Sequence, residues 1–376
     1  MGWLPEELPK AARPRWSVRV PGDGLGGLAA AEGVVVLGCR DATDARDVFV
    51  CLDGATGLEF WTASYAAPGA IDYGNAPRAT PVIHEGRVWT FGAFGHVHCY
   101  DLATGEVVWA RDLARDCQTP RLDWGLAGSP LLVDGRLIVQ PGGLKAGIVA
   151  LNAETGETLW QSAGGLPGHS SFVLHRTGEA SQLIGYDRLS LGGWDLSTGE
   201  RRWSIVPPLK GDFNVPTPLV LNDRIIVSTE NNGTRSYALD ARGIPEARPT
   251  GRNIDLIPDS STPVAMEERI YGVANGLFCL SAASGLEELW RLEEPEFYVY
   301  ASLIASPRQN RLLVLTSRAE LVLVQDEGSQ GRVLSRLSLR DDGSEALSHP
   351  ALVGGMLYYR IGRDVAALPL EGSATR

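Results

Sequence analysis

Short stretches in which apolar and polar residues alternate, separated by turn residues, run along the whole chain. Residues 79–113 show the unit: ATPVIHEGRV contains a first strand and turn, WTFGAFG a second strand and hairpin, HVHCYDL a third strand, and EVVWARDL a fourth. Alternation bounded by Gly, Asp and Asn is typical of half-buried β-strands joined by tight turns. The pattern therefore predicts a sheet of four short antiparallel strands.

The four-strand unit recurs along the chain. Trp61, Trp109, Trp160 and Trp203 each follow a Thr-Gly turn at intervals of 48, 51 and 43 residues, and Trp290 follows after 87. Degenerate copies, RSYALDARG and LVLVQDEGSQGRVLSRL, fill the remaining intervals. Four-stranded repeats of this period indicate propeller blades. We predict eight blades, over residues 28–64, 79–113, 128–162, 169–205, 216–250, 261–292, 301–339 and 348–370.

The last predicted blade lacks a fourth strand, because the chain after VAALPL at 365–370 offers none. RWSVRV at 15–20 supplies the missing strand, and Trp16 falls where the fourth-strand tryptophan belongs. A ring closed in this way leaves no free sheet edge. The sequence thus predicts an all-β fold, one eight-bladed β-propeller over residues 15–370, with tails at 1–14 and 371–376.

Composition and charge narrow the function. The chain has a net charge of −11 and no visible cluster of Lys and Arg, so a nucleic-acid partner is not expected. No apolar run reaches the length of a membrane span. The N-terminus lacks the basic start and apolar core of a signal peptide, which predicts a cytoplasmic protein. A periplasmic or secreted chain whose signal peptide had been removed would look the same. We expect a monomer.

The repeated phrase resembles the signature ALDA-x-TG-x-x-x-W of the PQQ-like, or quinoprotein-type, propeller family. LDGATGLEFW, YDLATGEVVW, LNAETGETLW and WDLSTGERRW match it, and LSAASGLEELW does so approximately. The resemblance implies that the tryptophans dock against neighbouring blades, namely Trp16, Trp61, Trp109, Trp160, Trp203 and Trp290. The residue before Leu-Asp in the third strand is small in nearly every repeat, including Cys51, Cys99 and Cys279, which predicts buried packing positions.

The family has two branches with different functions. Quinoprotein dehydrogenases hold PQQ and calcium at the centre of the ring, whereas compact non-catalytic propellers of the BamB type present loops to partners. This chain has the compact length of the second branch, and it lacks the adjacent Cys-Cys pair found in many alcohol dehydrogenases of the first. The resemblance therefore implies a binding propeller without a cofactor, with PQQ and calcium as the minority alternative.

Up-and-down strand order places the loops between blades on one face, around a central funnel, and the Thr-Gly turns on the opposite face. Long, individual loops on a rigid scaffold are where propellers usually carry function. Among the residues of these loops, Arg78 suits a carboxylate or phosphate group, and the aromatic side chains suit a flat ligand or a sugar. The predicted ligand-binding residues are Asp72, Asn75, Arg78, Asp123, Trp124, Phe213, Asn214, Tyr298 and Tyr300.

Acid–base chemistry at the funnel is the other hypothesis for these loops. His169, His349, Asp259 and Tyr73 are the candidate catalytic residues, since imidazoles exchange protons near neutral pH. Three functions stay open: a propeller that binds a protein or small molecule, a cofactor-free lyase, isomerase, cyclase or hydrolase, and a PQQ- and calcium-dependent dehydrogenase. Each polar residue also fits a structural role, because residues before a strand often cap turns.

Overall fold

The computed structural model describes residues 3–178 and 180–370 of the chain. These residues form eight four-stranded antiparallel sheets, one per blade, and the innermost strands of several neighbouring blades contact each other. The predicted eight-bladed β-propeller is confirmed. The predicted tail at 371–376 and the first two residues of the tail at 1–14 lie outside the described residues.

Blades 1 to 4 each run from the innermost strand to the outermost in chain order. Blade 1 holds β2 (Ala29–Ala31), β3 (Val34–Arg40), β4 (Arg46–Asp53) and β5 (Glu59–Ala66). Blade 2 holds β6 (Val82–His84), β7 (Arg87–Phe91), β8 (His96–Asp101) and β9 (Val107–Asp112). Blade 3 holds β10 (Leu131–Val133), β11 (Arg136–Val139), β12 (Val149–Asn152) and β13 (Thr158–Gln161). Blade 4 holds β14 (Val173–Thr177), β15 (Ala180–Tyr186), β16 (Leu191–Asp195) and β17 (Arg201–Ile205).

Blades 5 to 8 continue the ring. Blade 5 holds β18 (Leu219–Leu221), β19 (Arg224–Thr229), β20 (Gly233–Ala238) and β21 (Gly251–Asn253), so its last strand begins just after the predicted interval. Blade 6 holds β22 (Val264–Met266), β23 (Arg269–Val273), β24 (Leu277–Ser281) and β25 (Glu287–Leu292). Blade 7 holds β26 (Ala301–Ser306), β27 (Arg311–Thr316), β28 (Glu320–Asp326) and β29 (Gly331–Ser338). Blade 8 holds β30 (Ala351–Val353), β31 (Met356–Ile361), β32 (Asp364–Pro369) and β1 (Trp16–Arg19).

The ring is closed by β1, as predicted. Trp16 lies opposite Ala367 and Arg19 opposite Asp364 in the antiparallel register. Outside that ladder, the Arg15 amide donates to the Ala367 carbonyl at 2.7 Å and the Val20 amide to the Arg363 carbonyl at 2.9 Å. The two ends of the described chain therefore hold each other, and blade 8 depends on residues from both.

The repeated tryptophans join neighbouring blades. The indole Nε1 of Trp61 donates to the Leu102 carbonyl at 2.8 Å, and that of Trp109 donates to the Ala153 carbonyl at 2.9 Å, each in the next blade. The Thr-Gly turn of the next blade lies under the ring, so a Cβ on Gly105 would stand 2.6 Å from Trp61. This close approach explains why the turn needs glycine, which also adopts the required φ of +72° without strain.

The small residues of the third strand lie directly opposite these tryptophans. Cys51 pairs with Trp61, Cys99 with Trp109, and Gly193 with Trp203 in the strand registers. The small cysteine side chain, or the single hydrogen of glycine, leaves room for the indole on the same face of the sheet. A large side chain there would collide with the indole. All five cysteines are free and buried, consistent with a packing role.

Trp203 departs from this pattern. Its Nε1 donates to Oε1 of Gln182 in its own blade at 2.8 Å, and Gln182 Nε2 in turn donates to the Gly243 carbonyl of blade 5 at 2.6 Å. Blade 5 has lost the Thr-Gly turn and carries a longer connection to β21. Gln182 therefore relays the contact that the other tryptophans make directly.

Blade 7 has no tryptophan in its fourth strand, and the N-terminal segment packs at its interface with blade 8. Leu4 and Leu8 are buried in one cluster with Leu313 and Leu357. Gln309 brackets the segment, since its Oε1 accepts from the Leu4 amide at 2.8 Å and its Nε2 donates to the Leu4 carbonyl at 2.6 Å. Leu4 and Leu8 are thus part of the folded core.

Two short helical pieces lie outside the blades. The helix α1 (Leu113–Cys117) follows blade 2 and begins at Asp112, whose side chain accepts from the Arg115 amide. A 3-10 turn, Pro295–Tyr298, lies between blades 6 and 7. Within the described chain, no helix is long and apolar enough to cross a bilayer.

Candidate functional site

The funnel face is the face that carries the loops between blades and the hairpins between second and third strands. Its walls start from a belt of hydroxyl side chains at the entry to the innermost strands. The Thr80 amide donates to Ser129 Oγ at 3.0 Å, the Ser129 amide to Ser171 Oγ at 2.9 Å, the Ser171 amide to Thr217 Oγ1 at 3.2 Å, and the Thr217 amide to Thr262 Oγ1 at 3.1 Å. This belt links blades 2 to 6 and gives the loops above it a rigid base.

Sequence reasoning missed the belt, although a signal was present. A Ser-Pro or Thr-Pro pair stands before the innermost strand at Thr80, Ser129, Thr217 and Thr262. Proline has no backbone N–H to donate. The Ser or Thr residue before it is therefore the last residue before the strand that can hydrogen-bond to the neighbouring blade through its backbone amide. The predicted residues His169 and His349 lie beside this belt rather than in the loops above it, two residues before Ser171 and directly before Pro350.

Arg78 shapes the loop that precedes blade 2. Its Nη2 donates to the backbone carbonyls of Asp72 and, at 3.1 Å, of Gly74. These carbonyls flank Tyr73, which has a left-handed φ of +63° and is 81% exposed. The predicted anion-binding arginine is therefore used, in part, to hold the loop that presents Tyr73, while its Nε stays buried without a partner.

The remaining predicted residues of this loop tie it to its surroundings. Asn75 Oδ1 accepts from the Ile71 amide at 2.9 Å, and its Nδ2 donates to Asp44 at 2.7 Å. The Asp72 amide donates to the Asp123 carbonyl at 2.7 Å, which joins the loops before blades 2 and 3. The carboxylates of Asp72 and Asp123 belong to exposed residues.

Three predicted rings meet on the funnel wall over blades 3 to 5. The centroid of the Trp124 ring lies 4.8 Å from that of Phe213 and 5.4 Å from that of His169, both in edge-on geometry. Burial, together with the Arg78 and Arg188 cations, lowers the pKa of His169 to about 4. His169 is therefore neutral at physiological pH and acts here as an aromatic neighbour of Trp124.

The loop before blade 5 is held by carboxylates. Glu230 Oε1 accepts from the Phe213 amide at 2.6 Å, and Asp212 Oδ2 accepts from Asn232 Nδ2 at 2.6 Å. Burial and the nearby charges of Asp212 and Asp259 raise the pKa of Glu230. Glu230 was not predicted from the sequence, since an acidic residue in a hairpin carries no distinguishing signal there.

Asn214 is a buried structural residue of the same loop. It has a left-handed φ of +55°, and its Nδ2 donates to the carbonyls of Asp187 and Arg188, each at 3.3 Å. Its own carbonyl accepts from the His169 amide at 3.1 Å. Asn214 thereby joins blades 4 and 5 directly behind Phe213.

The predicted residues of blades 7 and 8 lie on another sector. Tyr298 is 49% exposed at the end of the 3-10 turn, while the Tyr300 hydroxyl lies 3.0 Å from Ser302 Oγ and burial raises its pKa. His349 Nδ1 donates to the Pro350 carbonyl at 3.0 Å. His349 is exposed to solvent at the funnel, yet desolvation by the surrounding protein lowers the pKa of its imidazole.

The four candidate catalytic residues are spread around the ring. Tyr73, His169, Asp259 and His349 stand before blades 2, 4, 6 and 8, which a closed ring of eight places a quarter-turn apart. Among the described residues, no hydrogen bond joins any two of these four. Asp259 instead accepts from the Ser260 hydroxyl at 2.7 Å. The arrangement holds four separate groups rather than an assembled proton relay.

The donors at the funnel do not fit PQQ with calcium. Calcium takes six or more oxygen ligands, but both Asp212 oxygens accept from the Asn231 and Asn232 nitrogens, and one Glu230 oxygen accepts from the Phe213 amide. In residues 3–178 and 180–370, no group of three or more His, Cys, Asp or Glu could hold a metal ion. A flat polycarboxylate such as PQQ needs cations to pair with its carboxylates, and at Arg78 two backbone carbonyls already take up the Nη2, while the Nε has no partner in the described part of the chain.

The fold and its docking tryptophans define a PQQ-like β-propeller. A family profile described as outer membrane protein assembly factor BamB matches residues 44–287, and the chain belongs to that family. It is 26% identical to BamB of Shewanella oneidensis over 220 residues, which are 57% of this chain and 49% of that protein. The chain thus spans about half the length of this curated relative.

Solved structures share the fold. BamB from Moraxella catarrhalis superposes with a TM-score of 0.65 at 15% identity, over 96% of this chain and all of that one. The quinohemoprotein alcohol dehydrogenase of Comamonas testosteroni superposes with a TM-score of 0.63 at 14% identity, over 97% of this chain and 77% of that one. At these identities the likeness concerns the fold alone.

Proposed function

We propose that this protein is a partner-binding propeller whose funnel face holds a segment of another protein, with no cofactor and no covalent step. The observation that carries the proposal is the way in which Tyr73 and Phe213 are presented. Both are large aromatic side chains, 81% and 44% exposed, at the tips of loops that are fixed from behind. Exposed aromatics on pre-organised loops are typical anchors of protein interfaces.

The backbone conformation and the hydrogen bonds of the two loops support the interpretation that Tyr73 and Phe213 are exposed for binding. Tyr73 itself, and Asn214 beside Phe213, adopt the left-handed conformation, which costs on the order of 1–3 kcal/mol for a non-glycine residue. Arg78 and Glu230 hold the two loops by hydrogen bonds to the backbone. Strain that the surroundings over-determine in this way clusters at binding sites.

The spread of the candidate acid–base groups favours binding over catalysis. Tyr73, His169, Asp259 and His349 stand a quarter-turn apart, and general acid–base catalysis needs groups within hydrogen-bond reach of one substrate. Membership in the BamB family also supports protein binding. The monomeric state and the cytoplasmic placement stay predictions.

Quantitative co-purification from an extract of the source organism tests the proposal. The bait proteins are the wild type, the double variant Tyr73→Ser with Phe213→Ser, and the control Val353→Ser, which alters a residue of similar exposure (46%) on the opposite face of blade 8. We expect one or more proteins to be retained by the wild type and the control and lost from the double variant. Equal recovery on all three baits would contradict the proposal.

A further inference from the structure

A groove of about 1200 Å³ crosses the lower face, which is the face that carries the Thr-Gly turns and lies opposite the funnel. We call it the lower-face groove, and it spans blades 1 to 3. Its apolar lining includes Val34, Phe60, Val82, Ile83, Val108 and Leu132. None of the predicted site residues lines it.

The apolar residue directly before the docking tryptophan is more exposed in blades 1 to 3 than in blade 6, where Leu289 is 36% exposed. Phe60 and Val108 directly precede the docking tryptophans of blades 1 and 2, and they are 53% and 43% exposed. Leu159 occupies the same position in blade 3 and is 48% exposed. Blades 4 and 8 carry Arg202 and Arg15 there. Large apolar side chains left in water on three neighbouring blades mark an interaction surface.

Acidic side chains surround this apolar strip. The groove is lined by Glu32, Glu85, Asp101, Asp134 and Glu154, against one arginine, Arg87. Arg87 pairs with Asp101, and Arg176 pairs with Asp134. Among the described residues, no Lys or Arg lies within 4.0 Å of the carboxylates of Glu32, Glu85 or Glu154, although His84 Nε2 lies 3.7 Å from Glu85 Oε1. The groove therefore presents uncompensated negative charge beside apolar surface.

The groove is also rigid. The Leu102 amide donates to the Gly86 carbonyl and the Ala153 amide to the Gly135 carbonyl, both at 2.9 Å, so the two turns of each blade are joined. The Gly86 amide donates to Glu32 Oε2 at 3.0 Å, which joins blades 1 and 2. A partner would meet a pre-formed surface and would lose little free energy in ordering it.

We infer that the lower-face groove docks a basic segment of a second protein that inserts apolar side chains between the acidic turns. The apolar strip over Phe60 and Val108 would supply most of the affinity, and Glu32, Glu85 and Glu154 would select a basic sequence over an acidic one. The protein then carries two interaction surfaces on opposite faces of the ring, and this second surface is independent of the funnel.

Fluorescence anisotropy with labelled synthetic peptides tests this inference on the full chain. The probe is a peptide of roughly a dozen residues that alternates Leu and Lys, and the control peptide alternates Ser and Lys to keep the charge. At an ionic strength of about 0.15 M, we expect the Leu–Lys peptide to bind about tenfold more tightly than the Ser–Lys peptide. Equal binding of the two peptides would reduce the groove to a non-specific acidic surface and overturn the inference.

Variants locate the binding. Phe60→Ser combined with Val108→Ser should weaken the Leu–Lys peptide about fivefold or more, and Glu85→Gln combined with Glu154→Gln should flatten its salt dependence. Val353→Ser is the control and should bind as the wild type does, since Val353 does not line the groove. Because Phe60 and Val108 are exposed, an unchanged melting temperature is expected. Wild-type binding by both groove variants would overturn the inference, as would a dimer of this chain that Phe60→Ser abolishes.

Discussion

The indole Nε1 of Trp16 donates a hydrogen bond to the Gly54 carbonyl at 3.0 Å, which joins the closing strand of blade 8 to the Thr-Gly turn of blade 1. The same ring packs on Gly57, where a Cβ would lie 2.6 Å away, and it faces Ala367 across the strand pair. One residue near the start of the chain thus contributes to both the eighth blade and the ring closure.

Removal of the Trp16 side chain should weaken the contact by which blade 8 closes the propeller against blade 1. Trp16→Ala is expected to lower the free energy of unfolding by about 3–5 kcal/mol, since it removes a buried aromatic side chain and leaves a cavity. Urea unfolding followed by circular dichroism measures the change. Trp3→Ala is the matched control, because Trp3 is 44% exposed. An equal effect of the two substitutions would contradict a closing role for Trp16.

The N-terminal segment should contribute to stability in the same way. Leu4 is fully buried between blades 7 and 8, so Leu4→Ala should cost about 2–5 kcal/mol in the free energy of unfolding. Leu58→Ala, at a position 68% exposed, should change it by less than about 0.5 kcal/mol. The same urea titration reports both. If Leu4→Ala proves as mild as its control, residues 4–8 are not part of the core.

Acid should destabilise the protein through histidines whose pKa is lowered in the folded state. Burial and the neighbouring His96 lower the pKa of His98 to about 4, and His169 is lowered similarly. Between the ordinary histidine pKa of about 6.5 and the folded value, the unfolded chain binds the proton and the folded chain does not. The free energy of unfolding contributed by each histidine should therefore fall as the pH drops below about 6.5 and level off near pH 4.

Variants separate these histidines from the other groups that titrate with acid. His98→Asn should flatten the decline by an amount on the order of 1–3 kcal/mol between neutral pH and pH 4. The exposed His84→Asn is the control and should keep the wild-type profile. Unfolding free energies measured across this pH range decide the matter, and parallel profiles for His98→Asn and the wild type would sink the assignment.

PQQ and calcium together should leave the melting temperature unchanged. A ligand at a hundred times its dissociation constant stabilises the native state by about 2.7 kcal/mol, which is a rise of a few degrees. The carboxylates of Asp212 and Glu230 and the Nη2 of Arg78 are already engaged with backbone and side-chain partners. A clear rise that needs both components would revive a quinoprotein dehydrogenase.

The fold followed from the sequence because its signal is redundant. Each Thr-Gly turn must lie under a tryptophan of the preceding blade, so both residues recur at the blade period. Trp16 could be placed in blade 8 because the last blade lacked a fourth strand and Trp16 falls at the tryptophan position of the strand that completes it. Blade 5 has neither the Thr-Gly turn nor the fourth-strand tryptophan. For that reason, neither its last strand nor the relay through Gln182 could be predicted from the sequence. Leu4 and Leu8 carry no periodic signal either, because they replace a missing tryptophan from outside the repeat.

The funnel was harder to predict than the fold. Loop position predicted which residues would stand at the funnel, and the structure brings the rings of Trp124, His169 and Phe213 together. The role of a polar residue, however, depends on which partner its side chain reaches. Arg78, which is predicted to bind a ligand anion, also bonds to two backbone carbonyls through its Nη2. The hydroxyl belt depends on contacts between blades that sequence spacing does not specify.

Site-specific photo-crosslinking in cells of the source organism tests the binding role of the funnel most directly. A benzophenone side chain is introduced at position 213 on the funnel face and, as a control of similar exposure, at position 353 on the lower face of blade 8. The proposed function predicts a discrete crosslinked product with another protein from position 213 that position 353 does not give. No product from position 213, or the same products from both positions, would contradict a funnel that holds a protein partner.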